Sequence, residues 1–134
     1  MYRIAQTLDA HLLAFAALRN IPADHVDTGN EVFVPPLSPH LRSYIKDEAA
    51  AAGLGPDAPV RHAGIYAVEV VVAAGTGTAD AYALAAALAR HFIRGSDCGL
   101  PGLVLRQASV GVHTIKDGRC SVPVAVPYYA YLEE

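Results

Sequence analysis

The segment from Gly64 to Gly95 constrains the fold more than any other part of the chain. It runs Gly-Ile-Tyr-Ala-Val-Glu-Val-Val-Val over 64–72, then Gly75-Thr76-Gly77, then an alanine-rich stretch from about Ala79 to Ile93 closed by Arg94-Gly95. This order predicts a strand, a turn and a helix. Successive strand side chains point to opposite faces, so Tyr66, Val68, Val70 and Val72 share one face, and Ile65, Ala67, Glu69 and Val71 the other. The wholly apolar face is expected to carry the core. Ala81, Leu84, Ala85, Leu88 and Phe92 recur at helical spacing, and the many alanines allow close approach to a sheet or a neighbour.

Strand, glycine turn and helix also begin a dinucleotide site, so the turn must be weighed for phosphate. That fingerprint requires a third small residue for close helix–strand packing. Here the third position is Asp80, a carboxylate where the pyrophosphate would lie. The other phosphate loop ends in Gly-Lys-Ser/Thr, and no lysine falls between Lys46 and Lys116. A carboxylate in the first helical turn instead suits the helix dipole, Thr78 suits an N-cap, and Gly95 suits the left-handed position after the helix. The segment reads as scaffold.

At 134 residues the chain is expected to form one domain, 1–134, with its own core. It is 53% hydrophobic and only 17% charged, which argues for a globular chain. A net charge of −3, with basic residues scattered in sequence, offers no electrostatic footprint for nucleic acid. No apolar run reaches the roughly 20 residues of a membrane span, and no signal-peptide pattern opens the chain. Cys98 and Cys120 form no metal or redox motif and read as reduced thiols in a cytosolic setting. Low charge together with seven tyrosines points to surface hidden against partners, since interface cores deplete charge and enrich tyrosine.

Elsewhere, Ile4, Leu8, Leu12, Phe15 and Leu18 predict an amphipathic helix over 3–19, stopped by Asn20-Ile21-Pro22. Glu31 to Val34 and His40 to Lys46 are candidate strands, and Asp47 to Pro59 reads as a loop with one helical turn at most. Leu103–Val112 and Cys120–Tyr131 predict two further strands joined around Asp117-Gly118, a strong hairpin signal. Pro123 and Pro127 complicate it. Their missing N–H groups point to one side of the strand, and a two-residue turn closed by Lys116 and Arg119 would aim both at the partner strand. A four-residue loop, 116–119, or a bulge near Gly111 would turn them outward. The expectation is therefore a final strand with a proline-blunted outer edge.

Six histidines (His11, His25, His40, His62, His91 and His113) form no H-x-x-x-H or H-E-x-x-H motif, and no pair shares a strand at period two. His91 in the last turn of the second helix suits the dipole there. Ser109 and Ser121 lack the elbow that exposes a nucleophile. Glu69 belongs to a solvated face or an intersubunit contact, and Tyr128-Tyr129-Ala130-Tyr131 puts aromatic rings on both faces of the last strand. No catalytic, cofactor or metal residues emerge.

Taken in order, Gly64–Val70, the Gly-Thr-Gly turn, Ala89-Arg90-His91-Phe92-Ile93-Arg94-Gly95, Ala108-Ser109-Val110-Gly111, Asp117-Gly118 and Val122-Pro123-Val124-Ala125-Val126-Pro127-Tyr128 form a series. With Glu31–Pro36 and Pro39-His40-Leu41-Arg42, this series resembles the tail terminator-like proteins of long-tailed bacteriophages and prophages. Ser43 to Pro59 departs from the pattern, being more polar and alanine-rich than the strand expected there. The resemblance implies an α+β subunit with two main helices packed on a mostly antiparallel, mixed sheet. It implies a homo-oligomeric ring, usually a hexamer, that caps the tail tube in the virion tail, assembled in the host cytoplasm. Its partners would be the tail tube protein and a head-completion or neck protein, with no catalysis, no cofactor, no membrane and no sequence-specific nucleic acid. Expected contact residues are Arg61, His62, Glu69, Tyr128, Tyr129 and Tyr131, with the loop 47–62. A neck or head-completion connector, and a small-molecule-binding α+β enzyme, are the alternative readings.

Overall fold

A computed structural model describes residues 2–28, 39–47, 60–73 and 78–132. The candidate strand at 31–34, the Gly-Thr-Gly turn and the stretch 48–59 lie outside the described residues. Helix α1 spans Tyr2–Leu18, and a single 3-10 turn, Ala23–His25, leads into β1, Val26–Asp27. Strands β2, His40–Asp47, and β3, Val60–Ala73, precede α2, Thr78–His91. The chain then lays down β4, Leu103–Leu105, β5, Ser109–Val110, β6, Thr114–Lys116, and the long β7, Arg119–Leu132.

The described strands form one sheet in the order β1-β2-β3-β7, with β4, β5 and β6 all on the far side of β7. Only β1 and β2 are parallel. The fold is α+β, with two helices on a mixed, mostly antiparallel sheet. Both helices pack on one face. Tyr66, Val68, Val70 and Val72 of β3 and Val122, Val124, Val126, Tyr128 and Ala130 of β7 meet Ile4, Leu8, Leu12 and Phe15 of α1 and Ala81, Ala85, Leu88 and Phe92 of α2 in one buried cluster.

The end of α1 shows how local chemistry sets an element. Asn20 takes φ 59°, and Ile21 N–H donates to Ala16 C=O at 2.9 Å while Asn20 N–H donates to Ala17 C=O at 3.3 Å. These two bonds make a Schellman stop, and Pro22 prevents continuation. Leu18, expected in the apolar stripe, is exposed because the helix ends there, and Ala16 is buried instead.

The prolines of β7 overturn the expected edge. Lys116 pairs with Arg119 across a two-residue turn, Asp117-Gly118, with φ 53° and 73°. Both positive angles mark the turn type whose twist suits a hairpin. Pro123 and Pro127 therefore face the β4–β6 side, and their carbonyls accept from Gly111 N–H and Arg106 N–H, each at 2.8 Å. Strand β7 is central, bonded to β3 across fourteen residue pairs on its other side. The cost falls on the neighbour. From Thr114 to Val110 is four residues, against three from Ser121 to Val124. From Ser109 to Leu105 is again four, against three from Ala125 to Tyr128. One extra residue opposite each proline breaks the expected strand 103–112 into short pieces, which is how a sheet interior tolerates proline. The bulge near Gly111 exists, but it leaves the prolines facing inward.

Candidate interaction surface

Pairing in register fixes which side chains share the face away from the helices. Across β2, β3 and β7 the rows read His40–Val71–Ser121, Arg42–Glu69–Pro123, Tyr44–Ala67–Ala125 and Lys46–Ile65–Pro127. Beyond these come Ala63–Tyr129 and Arg61–Tyr131, with Val104 of β4 beside Tyr129. No described element packs on this face. Tyr44 is 43%, Ile65 38% and Tyr131 51% exposed. On the same face His40, Ala63, Ala67 and Val71 are buried.

The expected contact residues divide by strand parity. Arg61, Tyr129 and Tyr131 come together at one end of the helix-free face. The Arg61 guanidinium lies 6.0 Å from the Tyr129 ring centre, and the Tyr129 and Tyr131 rings meet edge-on at 6.1 Å. Glu69 lies on the same face, half-buried, at the other end. Tyr128 and His62 do not belong with them. Both sit at even positions on the helix side and are buried, so Tyr128 anchors the core and neither offers a surface contact. Sequence reasoning missed Arg42, Tyr44, Lys46, Lys116 and Arg119, which join this face. The alternation of His40–Lys46 carried the signal for three of them.

Arg42, Glu69, Lys116, Asp117 and Arg119 line one shallow hollow of about 460 Å³ on this face. Arg42 Nε also lies 3.3 Å from Asp27 Oδ2 of β1. With both signs of charge at its rim, the hollow is suited to a polar protein surface rather than to a single anion.

Behind the sheet, polar contacts brace the helices. Asp9 of α1 accepts from Tyr66 Oη at 2.6 Å and from Ser43 Oγ at 3.0 Å. Burial and the Asp9 carboxylate push the Tyr66 hydroxyl far above the usual tyrosine range. His11 and His91 stack with ring centres 4.0 Å apart, and each Nε2 donates to the other's backbone carbonyl, at 2.9 and 3.0 Å. Burial, with the adjacent His11, lowers the His91 pKa. His91 is therefore biased toward its neutral form, and the cation in the last turn of α2 is Arg90 rather than the histidine that the sequence suggested. Tyr82 Oη accepts from His113 N–H at 2.8 Å and lies 3.0 Å from His113 Nδ1, which ties α2 to the bulge before β6. Cys98 and Cys120 are free thiols, and burial raises the Cys98 pKa. Among the described residues no three His, Cys, Asp or Glu side chains are grouped to hold a metal, and no helix is long and apolar enough to cross a membrane.

The fold is thus a one-sided α+β sheet, braced by helices behind and presenting an aromatic and basic face in front. The chain belongs to the phage tail terminator protein family, whose model matches residues 3–128, and its place is accordingly the virion tail. One solved structure shares the fold with TM-score 0.66 and 23% identity, covering 96% of each chain. Another, from the virion of a native gene transfer agent particle, has TM-score 0.59 and 18% identity over 87% of this chain and 84% of that one. No curated protein matches the sequence.

Proposed function

We propose that this chain closes into a ring, a hexamer in the simplest case, that caps the finished tail tube, stops its polymerisation and presents the surface on which the head is joined. The single observation that supports this reading is the helix-free sheet face in a chain of the tail terminator family. A face with an apolar centre and charged ends suits cover by another protein. Cyclic closure would use up the lateral contacts of each subunit, leaving only the two ends of the ring for the tube protein below and the head-completion protein above. The ring would assemble in the host cytoplasm, and no step in this reading calls for catalysis or a cofactor.

Deleting the gene from its phage tests the proposal by electron microscopy of the lysate. Overlong tails without heads are expected. Tails of normal length that lack heads would identify a connector instead, and would remove termination from the function.

A further inference from the structure

One corner of the helix-free face gathers arginines around a tyrosine. Past the end of β4, Arg106 N–H donates to Pro127 C=O, which sets Arg106 at the end of the row Lys46–Ile65–Pro127. The chain leaving α2 returns to the same edge. Gly95 N–H donates to Leu105 C=O at 2.7 Å, and Leu105 N–H donates to Ser96 C=O at 3.1 Å. Arg94, Arg106, Gln107 and Tyr129 thereby line one hollow of about 380 Å³ beside Val104. On the β3 side of Tyr129 stands Arg61, its guanidinium 6.0 Å from the ring centre. No aspartate or glutamate lines the hollow. Asp97, the nearest acid along the chain, turns back to accept from Gly99 N–H at 2.9 Å. Glu69 lies six residues along β3 from Ala63, the partner of Tyr129, which is about 20 Å.

We infer that this corner binds a short acidic segment of a partner protein, one that brings two or more carboxylates to Arg94 and Arg106. Each guanidinium presents a planar fork of N–H donors that matches a carboxylate, and both arginines are exposed. Neighbouring cations with no carboxylate among them raise the local potential and draw an anion in. Tyr129 supplies apolar contact beside them, with Arg61 already over its ring. Side chains make the contact, because the edge of β4 is paired with Gly95 and Ser96 and a bound segment does not extend the sheet there. The extent of the charge selects the class of partner. A nucleic acid follows a basic stripe across many phosphates. Laid along this face, it would run from the arginines onto Glu69 and Asp117. A short acidic segment meets the corner alone.

The probe is a fluorescein-labelled hexaglutamate peptide, titrated with the full chain in about 0.05 M salt, where exposed charges are weakly screened, and followed by fluorescence anisotropy. The wild type should bind it and ignore the hexaglutamine counterpart. Arg94→Glu/Arg106→Glu should weaken binding about tenfold, the scale of two exposed ion pairs lost and turned to repulsion. Arg90→Glu, a reversal at an exposed site on α2, should change it less than about twofold. A benzophenone-bearing hexaglutamate photolysed on the unaltered protein should label residues 94–107 or Tyr129. A wild type that does not bind hexaglutamate, a double variant that binds as the wild type does, or a label placed elsewhere would each overturn the site. A labelled oligothymidylate that binds more tightly than the peptide, and loses as much in the double variant, would overturn the acidic protein in favour of a phosphate backbone. Because the photolabelling uses unaltered protein, it decides the matter even if the double variant fails to fold. No outcome depends on how many copies assemble, so the ring proposal stands or falls separately.

Discussion

Tyr66 brings a hydroxyl to the interior and hands its proton's interaction to Asp9, so it carries more than its ring does. The contact is short, 2.6 Å, and its acceptor is a carboxylate oxygen, the combination that makes hydrogen bonds strong. Tyr66→Phe should lower stability by about 1.5–3 kcal/mol, the range for bonds to charged groups, read from urea unfolding at pH 7.5. The same residue sets an alkaline limit. Its folded pKa is raised, so above about pH 10 the unfolded chain releases the proton while the folded chain retains it. The unfolded state then binds fewer protons, and stability falls as pH rises. The alkaline loss should be smaller in Tyr66→Phe, and an identical loss in both proteins would rule the mechanism out.

His91 works in the opposite direction. Its folded pKa is lowered, so the neutral form is favoured in the fold, and its contribution is complete above the ordinary histidine value near 6.5. As pH falls through that value the unfolded chain takes the proton first, and stability declines. His91→Gln keeps a donor for the His11 carbonyl but does not titrate. The fall in Tm between pH 7.5 and 5.5 should be shallower in this variant, and an unchanged slope would assign the acid sensitivity elsewhere.

At the scale of the element, β7 is two strands in one. Its odd-numbered backbone groups face the interrupted side, as the bonds at Pro123, Pro127 and Tyr131 show, so its even-numbered groups face β3. The ladder to β3 is unbroken over its length, whereas the other side is served by three short strands. Hydrogen exchange followed by NMR should therefore alternate along β7. The amides of Val122, Val124 and Val126 should exchange more slowly than those of Ser121 and Ala125, because their bonds lie deeper in the sheet. Uniform protection along the strand would contradict this account. The broken edge is held in place from behind by the Tyr82–His113 contact and in front by Gly111, where an added Cβ would lie 2.8 Å from Pro123 Cγ.

For the whole molecule, what matters is that all described helices cover one side of the sheet. On the ring reading proposed above, the side without helices is the contact surface, and its basic residues make that contact sensitive to ionic strength. Salt screens exposed charges over roughly 10 Å at 0.1 M, so the ring should dissociate more readily at 0.5 M than at 0.05 M salt in a dilution series followed by light scattering. Assembly that strengthens with salt would point to a purely apolar contact.

Much of this architecture was legible in the residues. The period-two run around Val68 and Val70, the helical spacing of Ala81, Ala85 and Leu88, and the stop at Asn20 each follow from local chemistry, because alternation, helical period and left-handed turns depend on near neighbours. The second helix ends earlier than its sequence suggested, at His91, and Gly95 takes its positive φ in the separate turn from Ile93 to Ser96. The order of motifs was enough to suggest the family. The direction of the prolines was not readable, because it depends on whether a two-residue turn or a longer loop closes the hairpin, and the sheet absorbed the missing donors with bulges on a neighbouring strand. Alternation already divided Tyr129 and Tyr131 from Tyr128, but which of the two faces of β7 the helices would cover was decided by the fold. Only the tertiary structure brought Arg42, Lys46, Arg61, Lys116 and Arg119, scattered over seventy-eight positions of sequence, onto one face. Local order is set by residues a few steps apart, whereas a surface is set by strands that meet across the whole length of the chain.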